Sequence, residues 1–386
     1  MTTQPVTAQP GTAQPDAKQP IAKQPIDYAI ASVETMMRKF AAADLPPRNH
    51  FHYHQGVFLS GVYQTYLACG DERYFDYVRN WVNAVVAPDG SIPSADPSQL
   101  DDLQPGILLY PLYERTRDER YRRAIDWIAH TIRDYPRNPD GGFWHKVNSC
   151  AHEMWLDGLY MGGPVIAQYA AEFGHPEYFD LVARQALLMR EHTETANGLY
   201  RHAWDWTKRA AWADPGTGLA PEHWGRSIGW VPVAVLDDLD SIPAGHPQRP
   251  ALEAMVRDLL EAVLRYQGPD GRWWQVVDKP GAEGNWPETS CTCLFTAALC
   301  KAVRTGIMDE SALEPARRGY ESVIGHLGHE TRPDGAEDLI VDGVCIGTGV
   351  GDYDFYCARP TSANDLHGVG AFLIMTAEAQ KVRDRL

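Results

Sequence analysis

An aspartate inside an otherwise apolar segment is the first candidate for chemistry. The segment "HEMWLDGLYM", residues 152–161, places Asp157 between Trp155 and Tyr160. A carboxyl group held against aromatic rings in a cleft has a raised pKa, which suits a general acid. Asp157 also opens the segment "DGLYMGGPVIAQYAAEFG", where an aspartate can cap a helix by accepting backbone N–H bonds. The residue types alone leave both interpretations open.

A second carboxylate precedes another apolar segment. Asp101 and Asp102 lie in "SQLDDLQPGILLYPLY", at the point of the preceding helical hairpin that corresponds to Asp157. If the hairpins form a ring, carboxylates at corresponding helix starts face each other across it. The sequence therefore predicts a pair of acids in one cleft.

Aromatic side chains crowd one long loop. Five of the twelve tryptophans occur between residues 204 and 230, namely Trp204, Trp206, Trp212, Trp224 and Trp230. Aromatic rings that pack on C–H faces, beside polar groups that bind hydroxyls, are typical of sites for sugars. Core filling is the alternative for any one ring. Their density in a single loop favours a ligand.

A repeat organises the chain from residue 26 onward. Apolar segments end at short acidic turns, and a tyrosine opens the next segment, as in "GDERYFDYV", "RDERYRRAI" and "GHPEYFDLV". Each second segment then ends at a turn-forming "PDG" or "ANG". Long aromatic and polar loops follow these marks. Helical hairpins that close into a ring would bring all such loops to one end, where they form a pocket.

The repeat predicts one all-α domain, a toroid of about six hairpins over residues 26–386. We expect only minor strands in the loops, such as "GRWWQVVD". An open α-solenoid or two helical domains are the alternatives. Residues 1–25 carry a Gln-Pro repeat, and proline at that frequency predicts a disordered tail.

Composition excludes several classes of function. The formal net charge of -16 argues against binding of nucleic acid, which needs a basic face. Seven cysteines without a CxxC pair suggest neither a disulfide framework nor a zinc site. The sequence shows no secretory signal and no membrane span, so we expect a cytoplasmic protein.

The motifs carry a resemblance to a known family. The chain contains, in order, "MWLDGLYM", "GLYRHAWD", "PEHWGRSIGW", "GNWPETSCTCLFTAALCKAVRTG" and "NDLHGVGAFL". With "HFHYHQGVFLSGVYQTYLACGDERY" near the start, this series resembles that of the unsaturated rhamnogalacturonyl hydrolases, glycoside hydrolase family 105. The resemblance covers nearly all of residues 26–386. The chain departs from the family just before "MWLDGLYM", where His152 and Glu153 replace a glutamine or similar neutral residue.

The resemblance implies an (α/α)6 barrel and an unusual hydrolysis. The implied substrate is an oligosaccharide, left by a polysaccharide lyase, with a 4,5-unsaturated uronic acid at its non-reducing end. In the family scheme an aspartic acid protonates C4, water adds at C5, and the product opens and releases the next sugar. The resemblance implies no metal and no organic cofactor. By motif position the aspartate is Asp157, which acts first as acid and then as base.

The other site residues follow from the resemblance one by one. Asp101 matches the second carboxylate, which positions the sugar or water, and Asp102 is the neighbouring alternative. His202 contacts substrate near the reacting carbons. The remaining candidates for substrate binding are Trp224 and Trp230 by stacking, Arg226 through its planar fork, and Tyr53 and His367 by proximity to the pocket. For Arg226 the alternative is a loop salt bridge with Glu222 or Asp214.

Two other functions remain open at this stage. A family 88 unsaturated glucuronyl hydrolase would use the same chemistry on fragments like those of glycosaminoglycans. An inactive toroid would bind or sense sugars without cleaving them. The sugar beyond the cleaved bond, and galacturonyl as opposed to glucuronyl preference, cannot be inferred from these residues.

Overall fold

The computed structural model describes residues 23–386 and is mostly helical. The α-helices of this range are α1 (Pro25–Lys39), α2 (Tyr53–Cys69), α3 (Glu72–Val85), α4 (Leu109–Thr116), α5 (Glu119–Arg133), α6 (Gly158–Phe173), α7 (Glu177–Thr193), α8 (Gly225–Ser241), α9 (Arg249–Leu264), α10 (Thr289–Arg304), α11 (Leu313–Gly325), α12 (Tyr353–Cys357) and α13 (Leu366–Lys381). Short 3₁₀ helices span Ala42–Asp44, Leu100–Asp102, Gln104–Leu108 and Glu310–Ala312.

The helices form two concentric layers. The inner layer consists of α2, α4 with the 3₁₀ helix before it, α6, α8, α10 and α13, and each member packs against the next. The ring closes where α13 packs against α2. Helices α1, α3, α5, α7, α9 and α11 lie outside and pack against this ring. The predicted (α/α)6 barrel is confirmed, and α12 is an extra short helix in the last long loop.

Burial separates the two layers. In the inner helix α10 every residue from Thr289 to Val303 is buried, because neighbours surround it. The outer helix α5 buries one stripe, including Tyr121, Ile125 and Ile128. That spacing of three to four residues places the apolar side chains on a single helix face.

The turn signals also have their predicted role. The glycines that end the five "PDG" and "ANG" marks all adopt positive φ, between 78° and 99°. At Gly271 (φ 87°) a Cβ atom would lie 2.4 Å from the carbonyl oxygen of Arg318. Only glycine therefore fits the close approach of this turn to α11.

Two antiparallel pairs account for the named strands of the described range. Strand β1 (Glu153–Trp155) pairs with β2 (Ala203–Asp205), with Met154 opposite Trp204. Strand β3 (Gly328–Thr331) pairs with β4 (Glu337–Ile340). The strand expected in "GRWWQVVD" is wrong, since that segment makes only isolated bridges at Trp274 and Val276.

The predicted tail lies almost entirely outside the described residues. Disorder over residues 1–25 therefore stays a prediction for residues 1–22. Helix α1 begins at the buried Pro25, one residue before the expected start of the domain. Within residues 23–386, none of the helices combines the length and the apolar composition needed to cross a lipid bilayer.

Candidate active site

Five of the predicted site residues lie at the starts of inner helices. Tyr53 begins α2, Asp157 immediately precedes α6, and Arg226 lies in the first turn of α8. His367 lies in the first turn of α13, and Asp101 belongs to the 3₁₀ helix that leads towards α4. Because the inner helices run in the same direction, these starts meet at one end of the barrel.

Asp157 occupies an N-cap position without capping the helix. Its side chain makes no hydrogen bond to the backbone of α6, and its φ and ψ of -54° and -36° are already helical. Instead, Oδ2 lies 3.0 Å from Nε2 of His202. The Asp157 side chain is 14% exposed. The capping interpretation is therefore wrong, and the carboxylate points into the cleft.

The pKa of Asp157 differs from expectation. Burial is the largest single influence and raises it. The hydrogen bond and charge of His202, with the charges of His145 and Arg226, together outweigh burial and hold the pKa below its ordinary value. The raised pKa predicted from neighbouring aromatic rings is thus wrong, because the sequence placed His202 and Arg226 near the substrate but did not show that they lie beside the carboxylate.

His202 is fully buried between Asp157 and the last loop. Its Nδ1 lies 2.6 Å from the hydroxyl of Tyr356 on α12. The Gly351 N–H donates to the same hydroxyl oxygen at 3.3 Å. We infer that the Tyr356 O–H donates to Nδ1, which leaves the proton of a neutral ring on Nε2, towards Asp157. This chain of contacts orients the imidazole relative to the carboxylate.

Asp101 lies next to the same group of basic residues. Its Oδ2 is 2.8 Å from Nζ of Lys146, and its Oδ1 is 3.5 Å from Nε2 of His145. Burial raises the pKa of Asp101, but the charges of His145, Lys146 and His52 lower it by more, so that the pKa falls to about 2. Since His145 also acts on Asp157, the two carboxylates share one electrostatic environment.

Asp102 has different neighbours. Its Oδ2 accepts hydrogen bonds from the Asp96 N–H at 2.8 Å and the Gln99 side chain at 3.0 Å. Burial, with the charge of Asp101, raises its pKa to about 7. The geometry thus favours Asp101 over Asp102 as the second carboxylate of the cleft.

Arg226 is buried and holds the last long loop. Its Nη1 and Nη2 donate to the carbonyl oxygens of Cys345 and Ile346, at 2.6 and 2.8 Å. The alternative of a salt bridge with Glu222 or Asp214 is wrong, since Glu222 pairs instead with Lys279. The fork therefore binds backbone, and its charge acts on the nearby Asp157.

The two tryptophans predicted to stack on sugar are core residues. Trp224 and Trp230 are each 1% exposed. Trp224 packs on Tyr356 at 5.7 Å between ring centroids, and Trp230 on Tyr160 at 4.5 Å. Because other protein groups cover these rings, neither ring can stack on a sugar, and the predicted stacking role is wrong. Both rings pack in the core, where Trp224 supports the ring of Tyr356.

Tyr53 and His367 form a second polar group at this end. The Tyr53 hydroxyl lies 2.8 Å from Nε2 of His54, whose ring stacks on that of His367 at 5.0 Å. His54, Asp365 and His367 are close enough to hold a metal ion. His367 Nε2 lies 3.0 Å from the Cys345 carbonyl oxygen, and its Nδ1 lies 2.8 Å from a carboxylate oxygen of Asp365. These contacts connect the start of α13 to the last long loop.

Sequence reasoning missed three residues that the structure brings to the cleft. His145 and Lys146 contact Asp101, and the ring of His145 stacks at 4.4 Å on Trp155, which the sequence already placed beside Asp157. Tyr356 reaches His202 from the last loop. The run "GFWHK" was a signal for the first two, because it adds basic residues to a loop already assigned to the site end.

Comparison with known proteins decides the family. The model of Glycosyl Hydrolase Family 88 matches residues 28–383. A solved glycoside hydrolase of family 105 from C. acetobutylicum is 30% identical, with a TM-score of 0.85, over 92% of this chain and 99% of that one. The chain is a glycoside hydrolase of family 88/105. The family 105 membership predicted from the motifs is confirmed.

Two relatives of this family 105 hydrolase align with part of its chain. Protein Atu3128 of Agrobacterium fabrum is 31% identical over 57% of this chain and 98% of its own length. Unsaturated rhamnogalacturonyl hydrolase YesR of Bacillus subtilis is 26% identical over 63% of this chain and 68% of its own length.

The family 105 hydrolase also has a cavity at the opposite end of the barrel. It has a volume of about 500 Å³ and is lined mainly by the C-terminal halves of the inner helices, with Gln104 and Tyr160 nearer the middle of the barrel. Lys301 lies there and pairs with Asp237 and Asp240 at 2.6 Å. None of the predicted site residues lines this cavity, so it is separate from the cleft at Asp157.

Proposed function

We propose that this enzyme releases a 4,5-unsaturated uronic acid from the non-reducing end of lyase-generated oligosaccharides by hydrating the C4=C5 double bond. The observation that carries the proposal is the direction of the Asp157 carboxylate. It leaves the helix uncapped and meets His202 instead. A carboxylate at a helix start with no structural task is available for proton transfer.

Proton transfer to C4 is the first step. Burial raises the pKa of Asp157, but the hydrogen bond and charge of His202, with its other basic neighbours, lower it more, so the acid is the protonated form of Asp157 beside the neutral His202 ring. This carboxylic acid proton passes to C4 as the C4=C5 electron pair forms the new C–H bond. C5 becomes an oxocarbenium centre that the ring oxygen stabilises.

Addition of water completes the reaction. A water molecule attacks C5 and gives one proton to the Asp157 carboxylate, which now acts as base. The hemiketal at C5 opens to a ketone and leaves C1 as a hemiacetal that bears the next sugar. This hemiacetal collapses to an aldehyde and releases that sugar. Asp101, ionised because Lys146 and His145 lower its pKa, places a negative charge near the positive transition state.

The uronate carboxylate needs a cation in the cleft. Arg226 uses two donors on the loop backbone, whereas the Lys146 side chain is 25% exposed and sits on Asp101. Lys146 is therefore our candidate for direct contact with the uronate carboxylate. Arg226 contributes its positive charge to the cleft without direct contact with that group.

A panel of unsaturated disaccharides tests the proposal. Loss of the ultraviolet absorbance of the conjugated double bond measures hydration directly. We expect turnover by the wild-type enzyme and none by Asp157→Asn. The unsaturated rings of galacturonic and glucuronic acid are identical, because C4 and C5 are no longer stereocentres, so disaccharides that differ in the next sugar decide between rhamnogalacturonan fragments and those of the family 88 reaction. Binding without loss of absorbance on every substrate would contradict the proposal and favour a sugar-binding toroid.

A further inference from the structure

Glu153 is a carboxylate at the edge of the cleft that the reaction described above does not use. It lies on β1, where alternate side chains point to the same face, so Glu153 and Trp155 share one face while Met154 is buried on the other. Glu153 precedes Asp157 by four positions, which limits their Cα separation to about 14 Å. It thus lies within reach of a sugar bound next to the reacting ring.

The surroundings of Glu153 are aromatic and contain no compensating cation. Its Oε2 accepts a hydrogen bond from Nε1 of Trp155 at 2.7 Å, and the indole of Trp212 lies near enough to lower the pKa of the carboxyl. Asp205 lies opposite in the β1–β2 register and adds a like charge. Burial is the largest influence on the Glu153 carboxyl and raises its pKa to about 7, and no lysine, arginine or histidine of the described residues offsets it.

These contacts do not explain why the residue is acidic. A glutamine would accept the same indole hydrogen bond without a partly desolvated charge facing Asp205. Removing a carboxylate from water without a paired cation is costly. The fold therefore gains nothing from the charge, which points to a ligand with hydrogen-bond donors.

The neighbouring rings fit a sugar. Trp206 is 37% exposed, and its ring meets that of His152 edge to face at 5.9 Å. Trp155 links the two regions, because its indole N–H binds Glu153 while its ring packs on His145 and against the edge of His202, at 4.4 and 5.4 Å. One indole thus separates the Glu153 region from the groups around Asp157.

We propose that Glu153, with Trp155, Trp206 and Trp212, forms the subsite for the sugar beyond the cleaved bond. Glu153 selects a neutral sugar by accepting hydrogen bonds from two or more of its hydroxyls. The same carboxylate repels a sulfated or carboxylated sugar. This inference rests on the proposed function, because it assumes an unsaturated uronyl ring at Asp157. Charged acceptors bind hydroxyls more strongly than neutral ones, and an unpaired like charge disfavours an anion.

Kinetics of Glu153→Gln on three substrates test the subsite. The substrates are an unsaturated galacturonyl-rhamnose disaccharide, an unsaturated uronyl disaccharide with a sulfated hexosamine, and the methyl glycoside of the unsaturated uronic acid. At pH 8 we expect KM for the neutral disaccharide to rise about fivefold to tenfold with kcat unchanged. For the sulfated disaccharide we expect kcat/KM to rise about tenfold. The methyl glycoside, which lacks the second sugar, should react as with wild type.

The control is Glu191→Gln, which removes a carboxylate from the exposed face of α7. It should leave all three rates unchanged. If Glu153→Gln keeps the wild-type ratio of kcat/KM between the neutral and sulfated disaccharides, or slows all three substrates equally, the subsite is overturned while the proposed function stands. A wild-type enzyme that hydrates none of the three substrates overturns the proposed function itself.

Discussion

Tyr356 and His202 lie 154 residues apart in the chain, and their side chains meet at 2.6 Å. The contact joins the last long loop to the residue just before β2, and it continues from His202 Nε2 to Asp157 Oδ2 at 3.0 Å. Both rings are fully buried. The orientation of the proposed acid therefore depends on a residue that does not reach the substrate.

Removal of the Tyr356 hydroxyl should lower turnover without unfolding the enzyme. Tyr356→Phe keeps the ring that stacks on Trp224 but loses the buried hydrogen bond to His202, worth about 1 to 1.5 kcal/mol, and the longer one from the Gly351 N–H. We expect kcat to fall about tenfold with KM unchanged, and the pH profile of kcat to shift because the proton on His202 is no longer fixed. Tyr353→Phe, on the same short helix, is the control. An unshifted pH profile would show that Tyr356 is only a packing residue.

Asp157→Asn should separate catalysis from capping. Asparagine cannot donate and recover a proton, so we expect kcat on an unsaturated uronyl disaccharide to fall at least about a hundredfold. The melting temperature should stay near that of wild type, because the side chain makes no cap bond. Asp118→Ala is the contrast, since Asp118 caps α5 through the Arg120 N–H and its loss should cost about 1 kcal/mol. Retention of more than roughly a tenth of wild-type turnover by Asp157→Asn would exclude it as the acid.

Arg226→Lys should weaken the attachment of the last loop. Lysine keeps the charge but cannot reach both carbonyl oxygens, of Cys345 and Ile346, as the fork does. We expect the free energy of unfolding in urea to fall by about 1 to 3 kcal/mol, together with a lower kcat, since the same loop carries Tyr356. Arg359→Lys loses a similar fork on a half-buried part of this loop and should cost less. Equal stability of Arg226→Lys and wild type would show that the Arg226 fork does not hold the last loop in place.

Asp102 should make stability depend on pH. Its pKa in the folded state is raised to about 7 by burial, against about 4 in the unfolded chain. A raised pKa gives stability that is present below the unfolded value and is lost as the pH rises through the folded value. Between pH 5 and 8 wild type should therefore lose about 2 to 3 kcal/mol relative to Asp102→Asn, whose amide does not titrate. Chemical unfolding of both proteins across this range measures the difference, and parallel pH curves would rule it out.

The ring and its turns could be predicted because they depend on local patterns. The spacing of apolar residues and the glycines of the "PDG" and "ANG" marks act within a few positions of the chain. The position of Asp157 at the start of an inner helix followed from the same repeat. The structure places it there.

The chemistry around these positions depends on contacts between distant segments. The pKa of Asp157 is set by His145, His202 and Arg226, which come from three different loops or helices. The burial of Trp224 follows from Tyr356, which covers its ring from the last loop. A sequence reveals the number of aromatic rings but not which faces are covered, so sugar stacking was assigned to buried rings.

The common direction of the inner helices has an electrostatic consequence. Each helix start carries a partial positive charge, equivalent to about half an elementary charge, from N–H groups that lack partners within the helix. The starts of the inner helices surround the cleft at Asp157, so their fields add at the place where the uronate of the proposed substrate would bind. A chain with a formal net charge of -16 repels anions over most of its surface. The barrel therefore concentrates positive potential at one end of an acidic protein, where it would attract the uronate of the proposed substrate.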